Sequence, residues 1–182
     1  MEFFETVVRR RSYRGPMQPD PVPRDDLRRI VEAGLLAPSG CNAQTTRFVI
    51  VDDPATVEAI KTIVNRPFLA TVPAFIVCVM DPRSRPNTCS FAVEDCAAAT
   101  ENMLLAITAL GYASVWLDGA LRTPAIKKAL TELLHLPEGF EARILLPVGK
   151  PAGEMPPPKE RLPFEKRAFF NRFGNDDASP AP

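Results

Sequence analysis

The residues best suited to chemistry form a basic cluster near the start of the chain. Four of the six residues from Arg9 to Arg14 are arginine, and Ser12 adds a hydroxyl group. A guanidinium is planar and carries its N–H donors in a fixed fork, which suits bidentate contact with phosphate. A second basic group, Lys159 and Arg161, lies far along the chain in a proline-rich segment. The pattern predicts an anion site built from two distant segments, with a solvated basic face as the alternative for the arginine run alone.

The basic cluster does not reflect a generally basic protein. The 182 residues contain 22 Lys and Arg against 22 Asp and Glu, so the formal net charge is zero at pH 7. We therefore expect no nucleic-acid partner recruited by bulk electrostatic attraction. The length, with 46% hydrophobic residues, suits one domain with its own core. We expect that domain to cover residues 1–174 and a disordered tail to follow over residues 175–182.

Cysteine and histidine usage argues against a metal site. The four cysteines form no CxxC pair, and His135 is the lone histidine of the sequence. We interpret Cys41 as a small residue that fills a turn. No early apolar stretch resembles a signal peptide, and no apolar run approaches the roughly 20 residues that span a bilayer. We therefore expect a reduced, cytoplasmic protein with no membrane partner.

Hydrophobic periodicity and punctuation by proline and glycine predict alternating helices and strands. The predicted helices run from about Pro23 to Ala37, Asp53 to Val64, Ser90 to Leu110 and Thr123 to Leu134, and the predicted strands cover Phe48–Val51, Ala74–Val79, Ser114–Leu117 and Ala142–Val148. The class is therefore mixed α and β. Neither a GxGxxG motif nor a P-loop is present, which excludes the usual dinucleotide and nucleoside-triphosphate sites.

Two segments predict contact with a second subunit. The helix from Ser90 to Leu110 is apolar on nearly every side, and a helix of this kind is buried inside a domain or against a partner. The proline-rich tail carries several phenylalanines that need burial, namely Phe164, Phe169, Phe170 and Phe173. Since one domain of this size rarely encloses a helix on all sides, we favour partner contact for both.

The loop from Pro38 to Gln44 is the other candidate for ligand contact. It consists of small and amide-bearing residues, and amide side chains offer both donors and acceptors to the edge of a heteroaromatic ring. An ordinary turn capped by Ser39 and Asn42 is the alternative.

Taken together, these segments resemble the FMN-dependent nitroreductase family. The resemblance is carried, in chain order, by Arg10–Arg14, Ala37–Gln44, Phe48–Val51, the long helix closed by Leu110–Tyr112, Leu146–Pro151 and Lys159–Pro163. It covers nearly the whole chain. It implies an α+β, nitroreductase-like fold, with a central, mostly antiparallel sheet flanked by helices, in an intertwined homodimer with two FMN sites at its interface.

The resemblance also implies a set of flavin-binding residues. Those expected around the phosphate and ribityl chain are Arg10, Arg11, Ser12, Lys159 and Arg161, with Arg14 near the pyrimidine edge of the ring. Those expected from the other subunit are Pro38, Ser39, Gly40, Asn42 and Gln44. The backbone expected beside the hydride-accepting nitrogen belongs to Trp116, Leu117, Asp118 and Gly119, and Asn65 is expected near the ring edge. No metal is expected.

The resemblance implies an FMN-dependent oxidoreductase. NADH or NADPH would reduce bound FMN, which would then reduce a small acceptor such as a nitroaromatic or a quinone, with ping-pong kinetics. The alternative is a flavin-binding, flavin-sensing or flavin-consuming protein with little nitroreductase turnover. Two departures bear on substrate more than on flavin: the lid insertion of larger members is absent, and the family's usual Gln-Pro-Trp is Gln44-Thr45-Thr46 here.

Overall fold

The computed structural model describes residues 2–83 and 89–174. The tail over residues 175–182 lies outside the described residues. In chain order the helices and strands are α1 (Phe3–Arg9), α2 (Arg24–Leu35), β1 (Arg47–Val51), α3 (Pro54–Val64), β2 (Ala74–Met80), α4 (Ala92–Ala109), α5 (Pro124–Leu133) and β3 (Glu141–Val148). Short 3-10 turns lie between them, the first over Gly40–Asn42.

Local capping chemistry sets several of these boundaries. The Asp53 carboxylate accepts the backbone N–H of Thr56 at 2.9 Å, and this bond lowers the pKa of Asp53. Pro54 fills the first position of α3, where no N–H is needed. Gly111 follows the C-terminal cap of α4, and its φ of 81° suits glycine. The N–H of Tyr112 closes the turn onto the carbonyl of Ile107 at 2.9 Å.

The sheet is antiparallel throughout and has β2 at its centre. Val77 pairs with Val49 of β1 on one side and with Leu145 of β3 on the other. Every residue of β2 is buried, because its alternate side chains enter two different cores. Phe75 and Val77 pack in the core that includes α3 and α5, whereas their neighbours pack in the core that includes α2 and α4. The chain therefore forms helix, sheet and helix layers.

The predicted strand Ser114–Leu117 is wrong. In the part of the chain that the structure describes, the segment meets β3 only through an isolated bridge from Leu117 to Leu145. A second isolated bridge joins the preceding residue Ala113 to Gly149, which follows β3. The register that joins these two bridges places Val115 opposite Pro147. Proline has no N–H, so the hydrogen bond that this position of an antiparallel ladder needs cannot form.

Helix α4 is covered on one side by its own chain. The Asn102 side-chain amide donates to the carbonyl of Ala33 in α2 at 3.1 Å, and the side chain of Met103 lies directly against Gly34. On another side Val93 remains 48% exposed, and Glu101 is exposed as well. Contact of this second side with a partner stays a prediction.

The first testable prediction concerns Tyr112, which ties the end of α4 to the start of α2. Its hydroxyl donates to Asp26 Oδ2 at 2.7 Å, and burial together with this bond raises the pKa of Tyr112 to about 12. An unfolded tyrosine titrates near pH 10. Because the folded pKa is the higher one, the stabilisation is complete below about pH 10 and is lost as the pH rises through about 12.

We expect Tyr112→Phe to lower the free energy of unfolding at neutral pH by roughly 1.5–3 kcal/mol, as for a bond to a charged acceptor. Urea unfolding at a series of pH values should show the gap between wild type and variant shrinking between about pH 10 and 12. A gap that stays constant over this range would contradict the assignment.

Candidate functional site

The two basic segments predicted from the sequence line a single cleft of about 500 Å³, called here the basic cleft. Its lining residues are Val7, Val8, Arg10, Arg11, Ser12 and Arg14 from the N-terminal segment and Pro156, Pro157, Pro158, Lys159 and Arg161 from the tail. None of these residues is acidic. The sequence predicts an extended, proline-rich tail, and the structure places three consecutive prolines of it in one wall of the cleft.

Neutral hydrogen bonds bring the two segments together. The hydroxyl of Tyr13, a residue only 2% exposed, donates to the carbonyl of Pro16 at 2.7 Å and accepts the N–H of Gly153 at 3.2 Å. The N–H of Gln18 donates to the carbonyl of Lys150 at 2.8 Å. We call this set of contacts the seam. It joins the residues after the arginine cluster to the start of the tail, so the positions of Arg14 and Lys159 are linked through it.

Two arginines of the basic cleft, Arg10 and Arg11, make contacts within the protein. Arg10 Nε lies 3.7 Å from Glu101 Oε1 on α4, with 22% of the Arg10 side chain exposed. Arg11 Nη1 donates to the carbonyl of Arg10 at 2.9 Å and also to that of Val8. Arg14 is exposed at the cleft. The cleft thus presents a dense positive charge, and part of the donor set of Arg10 and of Arg11 is engaged by the protein.

The predicted loop lies at a different cleft. Pro38, Ser39 and Gln44 line a space of about 410 Å³ between α2, the start of β1 and α4, called here the loop cleft. Gly40 and Asn42 belong to the 3-10 turn of the same loop. The loop cleft and the basic cleft share no lining residue. Within one chain the loop and the basic segments therefore line separate clefts.

The loop has an unusual backbone conformation. Cys41, Asn42 and Gln44 have φ values of 53°, 52° and 49°. Residues other than glycine rarely adopt this left-handed region, and strain of this kind persists only where the surroundings impose it. Within the loop, the N–H of Gln44 donates to Ser39 Oγ at 3.0 Å.

Asp95 of α4 contacts the loop on either side of these residues. Asp95 is only 4% exposed, and its two carboxylate oxygens accept the N–H of Gly40 at 2.8 Å and the hydroxyl of Thr45 at 2.6 Å. Sequence reasoning missed Asp95. The available signal was an acidic residue in a helix face otherwise occupied by alanine and other small side chains.

The remaining predicted residues line neither cleft. Leu117 is bridged to Leu145 of β3. Trp116 and Gly119 flank Leu117 and Asp118 in the same segment, and the Asp118 carboxylate pairs with Arg122 at 2.7 Å. Asn65 ends α3 with a φ of 47°.

Over residues 2–83 and 89–174, no group of three or more His, Cys, Asp or Glu side chains is placed to hold a metal ion. Within those ranges, every helix is too short or too polar to cross a bilayer.

Comparisons with known proteins match this fold. The model of the nitroreductase family matches residues 7–73 and 60–150. A protein of Archaeoglobus fulgidus with the provisional name NADH dehydrogenase/NAD(P)H nitroreductase is 36% identical over 131 residues, which are 71% of this chain and 75% of that protein.

Solved structures agree. A nitroreductase with bound FMN from Bacteroides fragilis has a TM-score of 0.74 at 27% identity, covering 93% of this chain and 98% of that one. An FMN-dependent nitroreductase from Clostridium difficile has a TM-score of 0.80 at 24% identity, covering 93% and 99%.

The chain therefore belongs to the nitroreductase family, as the sequence predicts. Its nitroreductase-like fold, with helices packed on an antiparallel sheet, is confirmed as well. The names of the relatives contain the cofactors that the sequence predicts, with NAD(P)H for the Archaeoglobus protein and FMN for the two solved structures.

The seam generates the second prediction. Tyr13→Phe removes the hydroxyl that joins Pro16 to Gly153, and we expect the free energy of unfolding to fall by about 1–2 kcal/mol for two neutral hydrogen bonds. Amide hydrogen exchange should increase at Gly153. Exchange in β2 should increase only by the factor that the lower free energy of unfolding implies, because core strands exchange through global unfolding. An increase at Gly153 no larger than the increase in β2 would show a general loss of stability without local opening of the seam.

Proposed function

We propose that this protein is an FMN-dependent oxidoreductase that takes electrons from NADH or NADPH and delivers them to a small molecule such as a nitroaromatic or a quinone. The observation that carries the proposal is the basic cleft, in which two cationic segments from opposite ends of the chain meet. Family membership supports the same conclusion.

The residues of the basic cleft suit a flavin phosphate. Its cationic side chains are those of Arg10, Arg11, Arg14, Lys159 and Arg161, and no lining carboxylate opposes an anion. Ser12 adds a hydroxyl donor. We assign the phosphate and ribityl chain to Arg10, Arg11, Ser12, Lys159 and Arg161, because charge-assisted hydrogen bonds are the strongest that side chains offer a phosphate. Arg14 is assigned to the ring instead.

The other residues are assigned to the flavin ring. When bound, FMN supplies the electron-transfer chemistry, and the protein contributes binding, orientation and electrostatics. Arg14 would lie at the pyrimidine edge, where a cation favours negative charge on the ring. The ring would also be bordered by Asn65 and by the backbone of Trp116, Leu117, Asp118 and Gly119.

We propose that the loop cleft contributes from a second copy of the chain. The loop residues Pro38, Ser39, Gly40, Asn42 and Gln44 would then approach the ring of the partner's flavin. Support comes from large apolar side chains left open in one chain, including Phe4 at 73%, Leu36 at 83% and Phe173 at 95% exposure. Sedimentation should show a dimer at micromolar concentration, and a stable FMN-loaded monomer would contradict the shared site.

The experiment that tests the function is anaerobic reduction. The purified protein should show the visible absorption of oxidised flavin, and NADH or NADPH should bleach it. A nitroaromatic or quinone should then restore the absorption, and steady-state rates should give parallel double-reciprocal lines. Flavin that is bound but not bleached would favour a flavin-binding protein with little turnover, and flavin that is not recovered intact would favour a flavin-consuming one.

The third prediction tests the phosphate assignment. Arg10→Ala and Arg161→Ala should each weaken FMN binding by roughly 1.5–3 kcal/mol, or about 10- to 150-fold, without unfolding the protein. Riboflavin lacks the phosphate, so its weaker binding should change little. Arg9→Ala is the matched control, because Arg9 pairs with Glu5 at 3.1 Å and does not line the basic cleft. Unchanged FMN dissociation constants in both variants would rule out the assignment.

The fourth prediction tests Arg14. At 4 Å and an effective dielectric constant near 20, its attraction for a charge on the ring is on the order of 4 kcal/mol before screening. A quarter of this corresponds to about 20 mV for a two-electron couple. We therefore expect Arg14→Gln to lower the flavin midpoint potential by tens of millivolts and to slow reduction by NAD(P)H, while FMN stays bound. An unchanged potential in the fully loaded variant would place Arg14 away from the ring.

A further inference from the structure

We propose that Asp95 is a positioning residue for the flavin ring: it holds the loop Pro38–Gln44 in the conformation that contacts the ring bound at the partner's basic cleft. The inference rests on the proposed function, because it takes FMN as the ligand. It adds a residue that makes no flavin contact of its own.

The contacts of Asp95 bracket the strained part of the loop. Gly40, bonded to one carboxylate oxygen, comes just before Cys41, and Thr45, bonded to the other, comes just after Gln44. The residues on either side of the segment that contains the three left-handed residues are therefore bonded to one side chain of α4. Because α4 packs on α2 through Asn102 and Met103, that side chain projects from a rigid element.

Burying the Asp95 carboxylate and keeping loop residues in the left-handed region both cost free energy, and core packing does not require either. A carboxylate as buried as Asp95 must be compensated by hydrogen bonds, and here the two donors are an amide and a hydroxyl rather than a cation. The loop also keeps three non-glycine residues in a disfavoured conformation. Phe91 packs so closely on Gly40 that a Cβ there would lie 2.2 Å from a ring carbon of Phe91.

The buried carboxylate and the disfavoured backbone angles both belong to the loop that would contact the ring and to its support. Releasing either bond lets the loop relax toward ordinary backbone angles and moves Ser39, Asn42 and Gln44 away from their positions. The phosphate anchors at the basic cleft are unaffected. Loss of the Asp95 contacts should therefore weaken FMN and riboflavin by the same factor, unlike the loss of Arg10.

The experiment compares Thr45→Val, Asp95→Ala and Asp95→Asn with wild type in the flavin-free and flavin-loaded protein. Thr45→Val removes one donor with little change of shape, so it serves even where Asp95→Ala fails to fold. Asp95→Asn keeps an acceptor for the N–H of Gly40, so it should bind flavin more tightly than Asp95→Ala does. Thr100→Val is the matched control, because Thr100 is a buried threonine of α4 whose hydroxyl bonds to the carbonyl of Cys96 at 2.7 Å.

We expect Thr45→Val to weaken FMN and riboflavin equally, by on the order of tenfold. The absorption maxima of the bound flavin should shift, and Thr100→Val should leave affinity and spectrum as in wild type. The inference is overturned if Thr45→Val lowers stability to urea but leaves flavin affinity and spectrum unchanged, or if it weakens FMN more than riboflavin. Wild type that binds neither flavin overturns the proposed function itself, and the inference with it.

Discussion

The site depends on the seam between the N-terminal segment and the tail. Like charges in one cleft repel, and nothing in the basic cleft itself draws the arginines and lysine together. The attraction comes from the hydroxyl of Tyr13 and from backbone pairs such as Gln18 with Lys150. These bonds join neutral groups, so salt does not screen them and the repulsion does not weaken them. The cleft can therefore remain assembled while it lacks an anion.

Helix α4 serves both the core and the site. Residues such as Met103 and Ile107 are buried against the sheet and α2, and they fix the helix in place. One turn of the same helix presents Asp95 to the loop, and a later turn presents Glu101 to Arg10. A side chain on a packed helix is well suited to hold a loop in an unfavourable conformation, because the helix does not move to relieve the strain in the loop.

Features with a local cause could be predicted from the sequence. The cap of Asp53 and Pro54 and the glycine after α4 appear where their chemistry indicates, because each depends on neighbours within one turn. The failed strand at Ser114–Leu117 has a distant cause, since Pro147 is more than one element away in the chain. Asp95 was missed for the same reason. Its hydrogen-bond partners, Gly40 and Thr45, are distant in the chain, and the residues around Asp95 in α4 do not indicate them. The division of the site between two clefts also depends on tertiary packing.

Pro147 has a consequence for how copies of this chain can assemble. The segment from Ala113 to Leu117 lies along β3 and, with a proline in the strand, closes that edge of the sheet to another molecule. The outer edge of β1 carries no further strand within the described residues. Within residues 2–83 and 89–174, each copy thus leaves one sheet edge without a neighbouring strand. Sheets with one open edge can join only in closed pairs, because continuous growth needs two, so this fold is protected from polymerising through its sheet.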